Sequence, residues 1–196
     1  MTDRTPPPAW YAADDLAGFE AWCWARIGRG VADRRSPFHT PTLANVTPSG
    51  APDARTLVLR GCDARRRELR FHTDRRAGKV DALAARPDVC VHFYDAGAKL
   101  QLRCAGVARC FLGNEATRLQ AWEATRSFSR ECYRVAPQPA TRLEAGGAYK
   151  WPARDDEGLA NFAVLVIAVE RVEALYLAHS GHRRATFGER SSWLVP

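Results

Sequence analysis

The sequence predicts a mainly β protein, a closed or nearly closed antiparallel barrel of five or six strands with α-helices inserted at its periphery. Three observations point to it. Apolar and polar residues alternate in short runs such as Arg55 to Arg60, the pattern of a half-buried strand. Compact turn signals, Thr47-Pro48-Ser49-Gly50, Gly61-Cys62-Asp63 and Gly97, separate these runs at hairpin spacing. Helical periodicity is confined to a few short stretches, so sheet rather than helix carries the core.

Taken in order, Asp14 and Asp15 precede Leu16, Phe19, Trp22, Cys23 and Ile27 at three- and four-residue spacing. This predicts an amphipathic helix with an acidic cap, stopping near Gly28 or Gly30, whose Trp22 and Trp24 serve as core and interface anchors. After Pro37 to Pro41, Leu43 to Val46 reads as a strand joined by a tight turn to a second arm, Arg55 to Arg60. Glu68 to Thr73 is a third strand, and Arg76 to Arg86 a short helix ended by Arg86-Pro87. Val89 to Tyr94 and Lys99 to Leu112 resume the sheet, with Gly106 at a bend or bulge. Asn114 caps a helix running through Leu119 and Trp122 towards Phe128, and 144–158 reads as loop. Phe162 to Val169 and Val172 to Ala178 form a strand pair, followed by a loop and two short closing strands.

With 196 residues, 46% of them hydrophobic and 26% charged, the chain is expected to form one domain. Its core spans about 37–112 and 160–196, with 113–159 a helix and loop insertion. The longest apolar run, Phe162 to Val169, is too short to cross a bilayer, and MTDRTPPPAW lacks a signal pattern, so a cytoplasmic, non-membrane protein is expected. Cys23, Cys62, Cys90, Cys104, Cys110 and Cys132 form no CxxC pair and read as small buried hydrophobes; Cys90 and His92 share a strand face, but no second pair completes a metal site. The formal net charge of +7 is spread along the chain rather than gathered in a block, so it does not single out nucleic acid as a partner.

The blocks LANVTPSGAPDARTLVLRG, LRFHTDRRAGKV and VCVHFYDAGAKLQLRCAG are individually weak signals, but their order and spacing resemble the FMN-binding split barrels related to pyridoxamine 5′-phosphate oxidase. The resemblance implies an antiparallel six-stranded split β-barrel of the FMN-binding type. It implies that the strand Arg55, Thr56, Leu57, Val58, Leu59 and Arg60 lies along the flavin, with Arg55 on the ribityl phosphate. A phosphate dianion needs several charge-assisted donors, and Thr73, Lys79 and the N-terminus of the helix after it supply them. Gly78 stands where the family often has Arg, so Arg76 is the substitute donor, and His72 stands where Tyr is common. Gln101 matches a glutamine on the polar rim of the flavin ring, Arg103 shares its strand face, and Arg184 of His182-Arg183-Arg184 is the expected flavin-facing member of the closing basic motif.

On the substrate side the resemblance implies roles for Arg60, His182 and Glu123. Arg60 replaces a lysine, but Leu119 and Glu123 fall where the oxidases have Tyr and Arg, and Leu175 where they have a Trp. Oxidation of pyridoxamine phosphate is therefore not expected; FMN-mediated transfer to or from another small molecule is, with NAD(P)H one partner to test. No catalytic residue is assigned, because the flavin performs the hydride chemistry. The resemblance also implies a homodimer with FMN at the subunit interface, which fits a need to cover Val89, Val91 and Phe93 if these face outward. The alternatives are a non-catalytic flavin- or haem-binding module, a sensor or store, and a basic nucleic-acid binder.

Overall fold

The computed structural model describes residues 7–147 and 157–196. A one-turn helix α1 (Ala9–Ala12) leads into α2 (Leu16–Ala32), where the Asp15 carboxylate accepts from the Gly18 N–H, as the acidic cap predicts. The helix runs past Gly28 and Gly30, since burial of Phe19, Cys23, Trp24 and Ile27 outweighs the intrinsic cost of two glycines.

The sheet comprises β1 (Thr42–Val46), β2 (Pro52–Thr56), β3 (Leu59–Asp63), β4 (Glu68–Asp74), β5 (Asp88–Asp95), β6 (Leu100–Phe111), β7 (Phe162–Tyr176), β8 (Arg183–Phe187) and β9 (Ser192–Leu194). The main path is β2-β1-β5-β6-β7-β4-β3, with β8 and β9 extending from β7, and every pairing is antiparallel. The split-barrel architecture expected from the sequence is present, with nine strands among the described residues in place of six and without closure. Helix α3 (Gly78–Ala85) follows β4, while α4 (Ala116–Glu123) and α5 (Ser127–Arg130) lie between β6 and β7.

Several local expectations need correction. Arg55 to Arg60 is not one strand. It breaks at Leu57-Val58, so β2 pairs with β1 and β3 with β4 at opposite ends of the sheet path. The backbone of Leu57 instead donates to the Pro41 carbonyl at 3.0 Å. The chain thus crosses the opening of the barrel at this point. Conversely, the expected pair 162–169 and 172–178 is one continuous strand, β7, because its first half pairs with β4 and its second with β8 while β6 runs along its other edge. The turn-like residues Glu170 and Arg171 mark a bulge where the register shifts opposite Ala105 and Gly106. Only glycine fits there, since a Cβ on Gly106 would stand 2.0 Å from the Ala168 carbonyl oxygen.

Helix α3 starts at Gly78 rather than Arg76, because Asp74 holds the Arg76 backbone N–H and guanidinium in the preceding turn. The helix beyond Asn114 is capped at Glu115 and interrupted after Glu123, giving two short helices. Most of the loop expected over 144–158 lies outside the described residues.

The strand faces also correct the expected outer surface. Val89, Val91 and Phe93 are buried in the main core with Leu43, Leu102 and Ile27, while Cys90, His92 and Tyr94 occupy the opposite face. A second cluster, Trp122, Tyr133, Phe162 and Val164, lies under α4 and backs the sheet beside His72. No helix among the described residues is long and apolar enough to span a membrane.

Candidate cofactor site

The opening between β2 and β3 brings together residues far apart in sequence. Arg55 lies on β2 beside Leu43 and so faces inward; Thr73 is the inward residue near the end of β4; Lys79 is in the first turn of α3. The Lys79 Nζ donates to Thr73 Oγ1 at 3.0 Å. Its pKa is lowered, first by burial and then by the nearby Arg55 charge. Arg55 donates through Nη1 to the Leu43 carbonyl and to Asn45, and through Nη2 to Asp53, leaving Nε without a hydrogen bond among the described residues. Two cations thus face a half-buried space in which Lys79, among the described residues, hydrogen-bonds only to a hydroxyl. An anion placed there removes their repulsion and adds charge-assisted hydrogen bonds.

Asn45 belongs to this group although no role was assigned to it from sequence. Only 5% exposed, it accepts from Arg55 and donates to the Val46 carbonyl at 3.1 Å, so it aims the guanidinium. The available signal was its position two residues from Leu43, on the buried face of the same strand.

Arg76 is not part of the cradle. It forms a two-point ion pair with Asp74, at 3.0 and 2.7 Å, and donates to the carbonyls of Val135 and Ala136, tying the segment after α5 to the barrel. Thr56 and Arg60 flank the strand break at Leu57-Val58, and Leu59 is buried in the core.

Gln101, Arg103 and Arg184 form a second group on the opposite sheet face. The register places Gln101 beside Leu175 and Leu175 beside Arg184, with Arg103 beside Glu173. Glu173 accepts from Arg103 at 3.2 Å and from Arg184 at 2.7 Å; although burial opposes it, the two guanidinium groups hold its carboxyl below the usual range. Arg184 Nε is buried without a partner, and Gln101 makes no side-chain hydrogen bond among the described residues. These donors suit the polar rim of a ring system. His182 is exposed on the preceding loop, where it donates no side-chain hydrogen bond and its carbonyl accepts from Arg183.

A third group surrounds a recess of about 270 Å³ under α4, lined by Arg34, His39, Arg60, Arg70, His72, Thr125, Arg126 and Ser129 among others. Glu123 does not line it: the residue is exposed, and its carbonyl accepts from Arg130 at 3.0 Å. Arg126, beyond the end of α4, faces the recess. Contiguous helical numbering from Leu119 could not reveal this.

His72 packs edge-on against Phe162 with ring centroids 4.9 Å apart. Burial, reinforced by Arg60 and Arg70, pushes its pKa down to about 3. A base whose folded pKa is depressed binds fewer protons than the unfolded chain between pH 3 and 6.5, so stability falls on acidification through that window. Replacing His72 by Gln is expected to flatten the Tm-against-pH curve between pH 7 and 4. An unchanged slope would mean that His72 protonates without opening the fold.

Residues 22–112 match the family model described as pyridoxamine 5′-phosphate oxidase, FMN-binding domain. A pyridoxine/pyridoxamine 5′-phosphate oxidase from Thermobifida fusca is 39% identical over 90 residues, covering 44% of this chain and 36% of that protein. One from Methylibium petroleiphilum is 28% identical over 166 residues, covering 85% of this chain and 66% of that protein. The chain therefore matches between about a third and two thirds of these relatives' lengths. Among solved structures, a pyridoxamine 5′-phosphate oxidase-related, FMN-binding protein from Nostoc punctiforme superposes with TM-score 0.74 at 23% identity, covering 98% of this chain and all of that one. PhzG from Burkholderia lata, solved with tetrahydrophenazine-1-carboxylic acid, superposes with TM-score 0.67 at 16% identity, covering 99% and 95%. These likenesses show the split-barrel fold, and over residues 22–112 the chain is similar in sequence to the FMN-binding domain of pyridoxamine 5′-phosphate oxidase.

Proposed function

We propose that this chain is an FMN-dependent oxidoreductase that transfers a hydride or electrons to or from a small molecule other than pyridoxamine phosphate. The observation that carries the reading is the meeting of Arg55, Thr73 and Lys79, with Lys79 partly buried, half-desolvated and bonded only to a hydroxyl. A ribityl phosphate satisfies that group. The bound flavin supplies the redox chemistry. The protein's part is to fix the phosphate with Arg55 and Lys79, meet the ring with Gln101 and Arg184, and stabilise negative charge there.

The phosphate-side and ring-side groups occupy opposite faces of one sheet, so a single FMN touching both needs donors from two copies. A homodimer with FMN at its interface follows from the two faces; Val89, Val91 and Phe93, being buried, do not call for it. Against pyridoxamine phosphate stand Leu119, which offers no hydroxyl to a phosphate, and Leu175, which offers no indole at the flavin edge.

The test is a visible spectrum of the purified protein during FMN titration, followed by NADH and then NADPH under anaerobic conditions. A bound flavin bleached by either nicotinamide supports the reading. Absence of FMN binding would sink it, and a flavin that binds but that neither nicotinamide nor dithionite reduces would replace the oxidoreductase by a store.

A further inference from the structure

The recess under α4 gathers positive charge from four separate places. Arg60 and Arg70 enter from β3 and β4, Arg126 from the connection between α4 and α5, and Arg34 from the segment after α2. None of the four guanidinium groups makes a hydrogen bond or ion pair among the described residues. Among the described residues no Asp or Glu lines the recess. Of its other polar groups, the neutral Thr125 hydroxyl donates to the Ala121 carbonyl at 2.6 Å, and His39 Nδ1 is engaged by the Gly30 carbonyl at 2.7 Å. His72 also stays uncharged near neutral pH, so it adds a hydrogen-bonding atom without adding charge.

Each guanidinium offers a planar fork that fits a carboxylate or phosphate through two hydrogen bonds. A phosphate ester presents three acceptor oxygens, which about two such forks already cover. Four forks arriving from β3–β4 on one wall and from the α2 and α4 segments on the others exceed the needs of one anionic group. The volume, about 270 Å³, is likewise larger than a lone phosphate.

We propose that this recess is the second-reactant site and selects a small ligand carrying two separate anionic groups, with Arg34 and Arg70 the specificity-determining residues. The proposal rests on the FMN reading for what is done to that ligand, but not for its binding. Arg60 and Arg126 hold one group; Arg34 and Arg70 add the capacity for a second, at positions to which the family resemblance assigns no role.

Calorimetric titrations of the full chain, with and without FMN, use acetate and inorganic phosphate as one-group probes and glutarate and pyrophosphate as two-group probes. Each two-group probe is expected to bind at least ~10-fold more tightly than its one-group counterpart. Arg34→Gln and Arg70→Gln should each shrink that ratio towards one, whereas Arg190→Gln, which removes an exposed charge on the turn between β8 and β9, should leave it intact. Equal affinities for one- and two-group probes would overturn the proposal, as would a ratio that falls equally in Arg190→Gln or survives both recess variants. Loss of FMN binding with the anion ratio preserved would instead refute the cofactor reading alone.

Discussion

Arg55→Ala is expected to weaken FMN binding by about 2–4 kcal/mol, roughly 30- to 1000-fold, with little change in the fold. Arg55 sits on an edge strand at the barrel opening, with its side chain 18% exposed, and contacts Asn45, Asp53 and a carbonyl rather than the apolar core. Its loss therefore removes a phosphate partner without opening a cavity. It also leaves Lys79 less repelled, so the remaining lysine charge partly compensates and sets the lower end of the range. Arg55→Lys restores charge but not the planar fork and should recover only part of the affinity. Fluorescence quenching of FMN on titration reads both variants. Wild-type affinity in Arg55→Ala, with an unchanged melting curve, would remove Arg55 from the phosphate site.

Phe162→Ala carries the largest expected cost in stability, about 3–5 kcal/mol, which corresponds to a fall in Tm of roughly 6–20 °C for a domain of this size. Phe162 is fully buried where β7 begins, and its ring meets Trp122 at 5.2 Å, Tyr133 at 5.0 Å and His72 at 4.9 Å. Its removal leaves a hole under α4 that three rigid aromatic rings cannot fill by small shifts. The effect reaches the recess, because His72 loses its packing partner and water gains access to the imidazole. The His72 pKa should then rise towards its ordinary 6.5, which histidine proton shifts followed by NMR against pH would show. Phe162→Leu, which keeps most of the volume, should cost far less and leave the His72 titration nearly in place. Equal melting temperatures for Phe162→Ala and wild type would mean that the cluster under α4 does not contribute to cooperative unfolding.

The order of strands, the amphipathic helix after Asp15 and the glycine bulge at Gly106 were legible because each depends on a local rule: alternation, capping or a steric limit on Cβ. Arg55, Thr73 and Lys79, the residues proposed for the phosphate, stand out through their order in the resemblance, and the fold brings them together across the barrel opening. The misreadings share a cause. Alternation continues unbroken through Leu57-Val58, so nothing local announces that the backbone leaves one strand partner for another. The apolar run of β7 looks divided at Glu170 and Arg171, yet pairing with the bulged β6 carries the strand through. Likewise, alternation placed Val89, Val91 and Phe93 on one face without saying which face is covered.

The residues of the chain dictate a basic, mainly β fold, because charge, alternation and turn signals follow from neighbours within a few positions. Tertiary structure alone decides which charges share a space. Arg34, Arg60, Arg70 and Arg126 lie on four elements and become one recess only after β3, β4, α2 and α4 have packed. Glu123, on the same face of α4 as Leu119, stays outside that recess, which Arg126 beyond the end of the helix lines. Coulomb interactions act through distance rather than sequence separation, and distance is set by the fold.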